Sequence, residues 1–239
     1  MSKKRNYHDT TVHSVSEFVT QLETRILDRY RITLFRGQNT DKALIPKIAR
    51  HYFKKSRKID EKRMLEDFST NSIAHLDYEP KNILEKLTIA QHHGIPTRLL
   101  DWTENALTAL YFATYSETSE DDTAVVWVLS LERDSELLLR DSNVNPFAID
   151  EIKVFKPANI IQRISSQHGW FSIHPYKGQG FFERIENIED ESVRISKVII
   201  PRENINEINK TLDSCGINEY TIFRDLDSLG KYVFHKYKQ

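Results

Sequence analysis

The chain has 239 residues, of which 39% are hydrophobic and 29% charged, which is enough apolar material for a packed core and argues against disorder. The 34 basic and 35 acidic residues leave a formal net charge of −1, which excludes a global positive field for nucleic acid but not a local basic patch. The single Cys215 excludes an internal disulfide and a zinc site built on cysteines.

Targeting and membrane segments are not expected. No apolar run approaches the ~20 residues that a transmembrane helix needs, and the opening MSKKRNYHDT does not resemble a secretory signal. A cytoplasmic protein without a membrane partner is therefore expected. Residues 1–13 are polar and expected to be loose, and no linker interrupts residues 14–239, so a single domain is predicted there.

The first predicted elements are a helix and a strand. SVSEFVTQLETRILDRY has apolar residues at helical spacing, and Ser14 and Glu17 stand at capping-box spacing at its start. RITLFRGQ is rich in β-branched and aromatic residues, which predicts a strand ending at Gly37. Residues 42–77 are expected to be mostly helical.

The centre of the chain carries the densest group of polar side chains. NILEKLTIAQHHG predicts a helix stopped by Gly94 and Pro96, and GIPTRLLDWT is expected to be a loop. Asp101 and Glu104 have the spacing of an Asp-type capping box, which predicts that Asp101 caps the helix ENALTALYFATY. DTAVVWVLSL predicts a buried strand.

The remaining elements alternate between strand and helix. Strands are expected at IKVFKP, GWFSIHP, RISKVIIP and EYTIF, and helices at ANIIQRISSQHG, NINEINKTLDSCG and DLDSLGKYVFHKY. Because this order lacks the strict alternation of parallel βαβ units, we predict an α+β fold with a central, mainly antiparallel sheet.

Several segments resemble one family. LFRGQ at 34–38, LIPKIAR at 44–50 and AQHHGIPTRLLDWTENALTALYFA at 90–113 resemble the hallmarks of the FRG domain, which occurs in bacteria and their phages. IFRDLDSLGKYV resembles the end of that domain, with Arg224 where the family usually has proline. The resemblance spans about residues 16–233 and implies one FRG domain.

A more distant resemblance is to ADP-ribosyltransferases of the Arg-Ser-Glu type, whose first site strand ends in Arg-Gly. It implies an ADP-ribosyltransferase-like fold and NAD as cofactor, whereas the FRG resemblance implies a toxin or an effector of phage defence. The Ser-Thr-Ser and Glu-x-Glu signatures of that group are not found here. Gln167, Glu183 or Glu191 is therefore expected near the ribose.

The residues expected to form the site lie in two segments and one later glutamine. A guanidinium binds phosphate or carboxylate through two parallel hydrogen bonds, and a histidine titrates near neutral pH. The residues expected to bind the cofactor are Arg36, Gly37, Gln38, Thr97, Arg98, Trp102 and Thr103. The expected catalytic residues are His92, Asp101 and Gln167. Arg36 and Arg98 would repel each other near one loop unless an anion or Asp101 lies between them, which favours an anionic ligand.

The residues leave several alternatives open. Arg36 could instead pair with Asp101 as a structural link, and Trp102 could fill the core or stack on a base. No metal site is expected, because His92, His93, His168 and His174 lack a ligand spacing. The site could transfer ADP-ribose to a protein or nucleic acid, or it could be a non-catalytic module that recognises a nucleotide or nucleic acid. The oligomeric state does not follow from the sequence.

Overall fold

Seven strands form one central sheet in the computed structural model, which describes residues 9–27, 31–55, 59–115, 123–141, 143–157 and 169–238. The sheet order is β1-β9-β4-β2-β3-β6-β5, and every neighbouring pair is antiparallel except β1 with β9. Two further strands, β7 and β8, form a separate hairpin. The strands are β1 (Thr10–Thr11), β2 (Arg31–Gln38), β3 (Leu99–Thr103), β4 (Thr123–Glu132), β5 (Lys153–Phe155), β6 (Gly169–Ile173), β7 (Tyr176–Gly178), β8 (Phe181–Phe182) and β9 (Val193–Pro201).

The helices are placed around this sheet, and with it they confirm the predicted α+β fold and its mainly antiparallel sheet. They are α1 (Val15–Gln21), α2 (Lys47–Lys55), α3 (Glu61–Ser72), α4 (Ile83–His92), α5 (Ala106–Thr114), α6 (Ile205–Ser214), α7 (Glu219–Phe223) and α8 (Leu226–Tyr237). In the described part of the chain, no helix combines the length and the apolar character needed to cross a membrane.

Strand β4 lies inside the sheet, between β9 and β2, and is buried on both faces. Side chains alternate along a strand, so Val126 and Val128 face one side while Trp127 and Leu129 face the other. The first side is covered by apolar residues of α1, α5, α6 and α7. The second side is covered by a cluster that includes Leu44. Burial on both faces explains the continuous apolar run that predicted this strand.

The N-terminal expectations are confirmed in part. The Ser14 side chain accepts a hydrogen bond from the Glu17 backbone N–H at 3.1 Å and caps α1, as its spacing predicts. The segment expected to be loose up to residue 13 is not loose throughout, because Thr10–Thr11 pair with β9 and Val12 is fully buried.

Two central predictions are wrong. The expected loop at GIPTRLLDWT contains β3, which pairs with β6 along its whole length. Asp101 lies inside that strand and does not cap the next helix. The cap of α5 is Asn105, whose side chain accepts hydrogen bonds from the N–H groups of Leu107 and Thr108. The long-range pairing with β6 overrides the local capping pattern.

The segment EYTIF is the helix α7 instead of the expected strand. Asn218 and Thr221 form a capping box at its start, and Ile222 packs into the apolar cluster on the helix side of the sheet. A short apolar run fits either structure, and here the cap and the packing partner decide. The helix expected at ANIIQRISSQHG spans residues 158–169, of which 158–168 are outside the described residues and Gly169 begins β6.

Candidate functional site

Arg36 lies near the end of β2, opposite Trp127 of β4. Its Nη1 donates a hydrogen bond to the Asp101 carbonyl oxygen at 2.8 Å and lies 3.5 Å from the Asp101 carboxylate. The Arg36 side chain is 16% exposed and that of Asp101 is 58% exposed. The Asp101 carboxylate is therefore in contact with solvent as well as with Arg36. The Arg36 Nε–H is buried and has no hydrogen-bond partner. The protein therefore compensates this buried cation only in part.

Burial lowers the pKa of Arg36 from its usual value, Asp101 raises it, and the neighbouring Arg50 lowers it. An arginine nevertheless stays protonated in proteins. An anion that approached Arg36 would offset the burial cost and could accept the unused Nε–H.

A cavity of about 400 Å³ opens beside Arg36; we call it the Arg36 cavity. This volume lies within the usual range of small-molecule sites. Its lining carries three cationic side chains, Arg36, Lys42 and Arg50, and one carboxylate, that of Asp101. Hydroxyl groups, amide groups and aromatic rings form most of the remaining wall, and Gly37, Ala43 and Ile45 complete it. The hydroxyl, amide and aromatic residues are Gln38, Asn39, Thr40, Thr103, Phe35, Trp102 and Phe112. The excess of positive charge favours an anionic ligand.

Six of the predicted site residues lie together in this cavity. They are Arg36, Gly37, Gln38, Asp101, Trp102 and Thr103. Gln38 accepts a hydrogen bond from the Trp127 indole at 2.9 Å, which fixes the side-chain amide at the end of β2. Gln167 is outside the described residues.

Arg98 does not join Arg36, so the expected convergence of these two arginines on one pocket is wrong. Arg98 is buried, and its Nε and Nη2 both lie 2.9 Å from the Glu61 carboxylate. Its Nη1 donates to the Pro146 carbonyl oxygen, and its guanidinium stacks on the Phe147 ring. All these partners are internal, and Arg98 does not line the Arg36 cavity. Its contact with Glu61 joins α3 to the residue that immediately precedes β3.

Thr97 and His92 also lie outside the cavity lining. The Thr97 hydroxyl donates to the Gln91 side-chain oxygen and accepts from the Leu99 N–H. His92 is half-buried, and its ring makes an edge-to-face contact with that of His93. Gln91 is more informative, because its Nε2 donates to the Asp101 carboxylate at 3.2 Å. Thr97 therefore acts on Asp101 indirectly, by orienting Gln91.

Gly37 lines the cavity, and the packing of α5 on β2 also requires a glycine at this position. A Cβ at this position would lie 2.0 Å from the Ala109 carbonyl oxygen and 2.5 Å from the Ala113 nitrogen. Both atoms belong to the backbone of α5, which crosses β2 at this point. Glycine is therefore required here for helix-to-sheet packing, whatever the cavity binds.

A buried chain of hydrogen bonds through Ser172 and His174 fixes the indole ring of Trp102. Its indole N–H donates to Ser172 Oγ at 3.0 Å, and Ser172 Oγ lies 2.9 Å from His174 Nε2. His174 Nδ1 lies 2.7 Å from the Glu183 carbonyl oxygen. This carbonyl can only accept, so Nδ1 carries the proton and Nε2 accepts from Ser172. Trp102 is 3% exposed, which leaves it as a floor of the cavity with little area for stacking.

His174 is expected to make the protein less stable in acid. Its burial, and to a smaller extent Arg36, lower the pKa to about 4 against the opposing hydrogen bond to Glu183. Above pH 6.5 the folded and unfolded forms are both neutral at this residue; between pH 6.5 and 4 only the unfolded form takes up the proton. We expect this to cost roughly 3 kcal/mol of unfolding free energy by pH 4.

Urea unfolding of the wild type and of His174→Gln across this pH range measures the effect. The difference in unfolding free energy between the two proteins should shrink as the pH falls. A difference that stays constant from pH 7 to pH 4 would show that His174 does not titrate as described.

The glutamates expected near a ribose are not in the cavity lining. Glu183 lies 3.4 Å from Lys177, and Glu191 is exposed. Within the described ranges, no group of three His, Cys, Asp or Glu side chains is placed to hold a metal ion.

Sequence reasoning missed the two other cations of the cavity. Lys42 precedes the LIPKIAR segment and Arg50 ends it. The cluster Arg50, Lys42 and Arg36 forms only because the chain between β2 and α2 folds back over the end of β2. In the sequence, the only indication that these two cations belong to the site is the FRG-like segment LIPKIAR, which lies beside Lys42 and includes Arg50.

Residues 31–122 match a family model described as the FRG domain. Every residue that lines the Arg36 cavity falls within this range. No curated protein and no solved structure matches the chain. The match supports the FRG resemblance, whereas the resemblance to ADP-ribosyltransferases stays a prediction.

Proposed function

We propose that the Arg36 cavity, which lies within the residues 31–122 that match the FRG domain, binds an anionic nucleotide of the NAD type. The observation that carries the proposal is the cavity itself, where three cationic side chains face one carboxylate and the buried Arg36 keeps an unused N–H. We further propose ADP-ribosyl transfer as its activity, in a cytoplasmic toxin or an effector of phage defence, with a protein or nucleic acid as acceptor.

The contacts follow from the chemistry of the lining residues. Arg36 would hold a phosphate through its Nε and Nη groups, with Arg50 and Lys42 offsetting the remaining negative charge. Gln38 and Thr103 offer an amide and a hydroxyl to the polar edges of the nucleotide. The diphosphate of NAD suits this excess of positive charge better than a neutral nucleoside does.

Asp101 is the one carboxylate in the described lining and therefore the candidate for the chemical step. In ADP-ribosyl transfer the bond between nicotinamide and ribose breaks, and nicotinamide leaves with the bonding electrons. The acceptor then bonds to the same ribose carbon and loses its proton. A carboxylate stabilises the positive charge that develops on the sugar. Gln91 would keep the Asp101 carboxylate oriented.

A non-catalytic recognition module is the second candidate. It is favoured by the state of Asp101, whose carboxylate already lies 3.5 Å from Arg36 and accepts from Gln91. No glutamate is present in the described lining. In this alternative the same cavity binds the nucleotide and passes the binding event to a partner.

Binding and turnover separate the two candidates. Calorimetry with NAD, ADP-ribose and inorganic pyrophosphate measures binding, and nicotinamide release from labelled NAD measures turnover. Arg36→Gln should weaken binding of all three roughly 10- to 100-fold, because a hydrogen-bonded charge contact is lost. The matched control is Arg63→Gln, which removes an exposed arginine of α3 outside the cavity lining and should leave binding unchanged.

The outcomes are distinct. Nicotinamide release that is lost in Asp101→Asn while NAD still binds supports the transferase. NAD binding without release supports the recognition module. If neither NAD nor ADP-ribose binds the wild type, or if Arg36→Gln binds as the wild type does, the cavity is not a nucleotide site.

A further inference from the structure

The C-terminal helix α8 exposes a stripe of large apolar side chains. The spacing of Leu226, Val233 and Tyr237 places them on one face, with Phe234 beside them. Leu226 is 81% exposed, Tyr237 78% and Phe234 64%. The other face of the helix turns inward, where Ser228 is buried. Large exposed apolar side chains gathered on one face indicate an interaction surface, whereas scattered ones do not.

Gly230 lies in the middle of this stripe. A glycine inside a helix is unfavourable, so its presence calls for a packing reason. A Cβ at Gly230 would meet nothing within 4 Å, so the described part of the chain supplies no such reason. A glycine at the centre of an apolar helix face lets a second helix approach closely.

The charges at the two ends of α8 are opposite in sign. Asp225 and Asp227 lie at its beginning, and Lys236 and Lys238 lie at its end. A copy of the same helix in antiparallel orientation therefore brings unlike charges together at both ends, whereas a parallel copy brings like charges together.

One antiparallel register both places a large side chain opposite Gly230 and brings the opposite charges at the helix ends together. With Leu226 level with Tyr237 of the second copy, Gly230 lies opposite Val233 of that copy. In this register Asp227 lies within about 3 Å, measured along the axis, of Lys238 of the second copy. Asp225, whose carboxylate also caps α8 by accepting the Ser228 N–H at 2.7 Å, has the same offset from Lys236 of the second copy. The spacing along one helix thus serves packing and charge at once.

We propose that α8 is a self-association surface, which pairs antiparallel with α8 of a second copy of this chain around Gly230. The helix of 12 residues is only about 18 Å long. It therefore buries less area than the roughly 1,200 Å² of a stable interface. Association is accordingly weak and depends on protein concentration, and it is independent of what the Arg36 cavity binds.

Sedimentation equilibrium of the full chain, from low micromolar to millimolar protein, tests the surface. The wild type should shift from monomer to dimer with concentration. Val233→Asp should remain monomeric with an unchanged circular dichroism spectrum, because its side chain is exposed. Ile73→Asp is the matched control, since it places the same charge on an exposed apolar residue elsewhere and should still dimerise.

A charge exchange tests the orientation. Asp227→Lys should weaken association at least tenfold, and Asp227→Lys combined with Lys238→Asp should restore it. Gly230→Ala should weaken association while raising the melting temperature of the monomer. A wild type that stays monomeric at every concentration overturns the proposal, as does a Val233→Asp variant that dimerises normally. Failure of the double exchange to restore pairing overturns the antiparallel arrangement.

Discussion

Gly37→Ala is expected to lower the unfolding free energy by about 3 kcal/mol or more, at or above the upper end of what overpacking usually costs. The added Cβ would lie 2.0 Å and 2.5 Å from backbone atoms of α5, and backbone atoms cannot turn away as a flexible side chain can. Strand β2 and helix α5 must separate to admit the methyl group. Both elements belong to the core, so we expect the melting temperature to fall by roughly 6–12 °C.

Thermal and urea unfolding followed by circular dichroism measure this loss. Gly230→Ala is the matched control, because its Cβ has open space and alanine favours the helix by up to about 1 kcal/mol. Both proteins are compared at low concentration, where α8 is not paired. If Gly37→Ala unfolds within about 0.5 kcal/mol of the wild type, the range of ordinary surface substitutions, α5 does not approach β2 as described.

Glu61→Ala is expected to cost about 3–5 kcal/mol, because it leaves the buried Arg98 without its counter-charge. Glu61 accepts the Arg98 backbone N–H at 2.8 Å as well as the guanidinium, so the substitution also removes the acceptor of a buried backbone donor. Both side chains are less than 10% exposed, and solvent cannot replace the lost contacts. The same denaturation experiments apply.

The control for Glu61 is the exposed ion pair between Lys156 and Glu104. Glu104→Ala should cost less than about 1 kcal/mol, since solvent screens that pair. Glu61→Gln combined with Arg98→Met should recover much of the stability lost in Glu61→Ala, because no buried charge then remains unpaired and the glutamine side-chain oxygen can still accept the backbone N–H of residue 98. Equal losses in Glu61→Ala and Glu104→Ala would contradict the buried pairing.

The contrast between Arg36 and Arg98 matters for the site. Both arginines lie in FRG-like motifs, and the sequence alone predicts that both bind the ligand. Arg98 has a complete set of internal partners, whereas Arg36 has a shared, solvent-exposed carboxylate and an unused N–H. Of these two arginines, only Arg36 borders the cavity and keeps a buried N–H without a hydrogen-bond partner.

The sequence by itself determined what depends on near neighbours. Apolar spacing located α1, α4, α5 and the buried strand β4, and the Ser14 cap marked where α1 begins. The FRG motifs located the segments that supply the cavity, including Arg36 and Asp101. These signals lie within a few turns or one strand, where backbone preference and side-chain period act directly.

Only the tertiary structure decided what depends on distant partners. Pairing with β6 made residues 99–103 a strand, and packing on the helix side of the sheet made EYTIF a helix. Arg98 pairs with Glu61, which is 37 positions away in the sequence. The arginine that the fold places near Arg36 is Arg50 and not Arg98. A charged or short apolar segment is compatible with several partners, and the partner that it meets is set by the packing of the whole sheet.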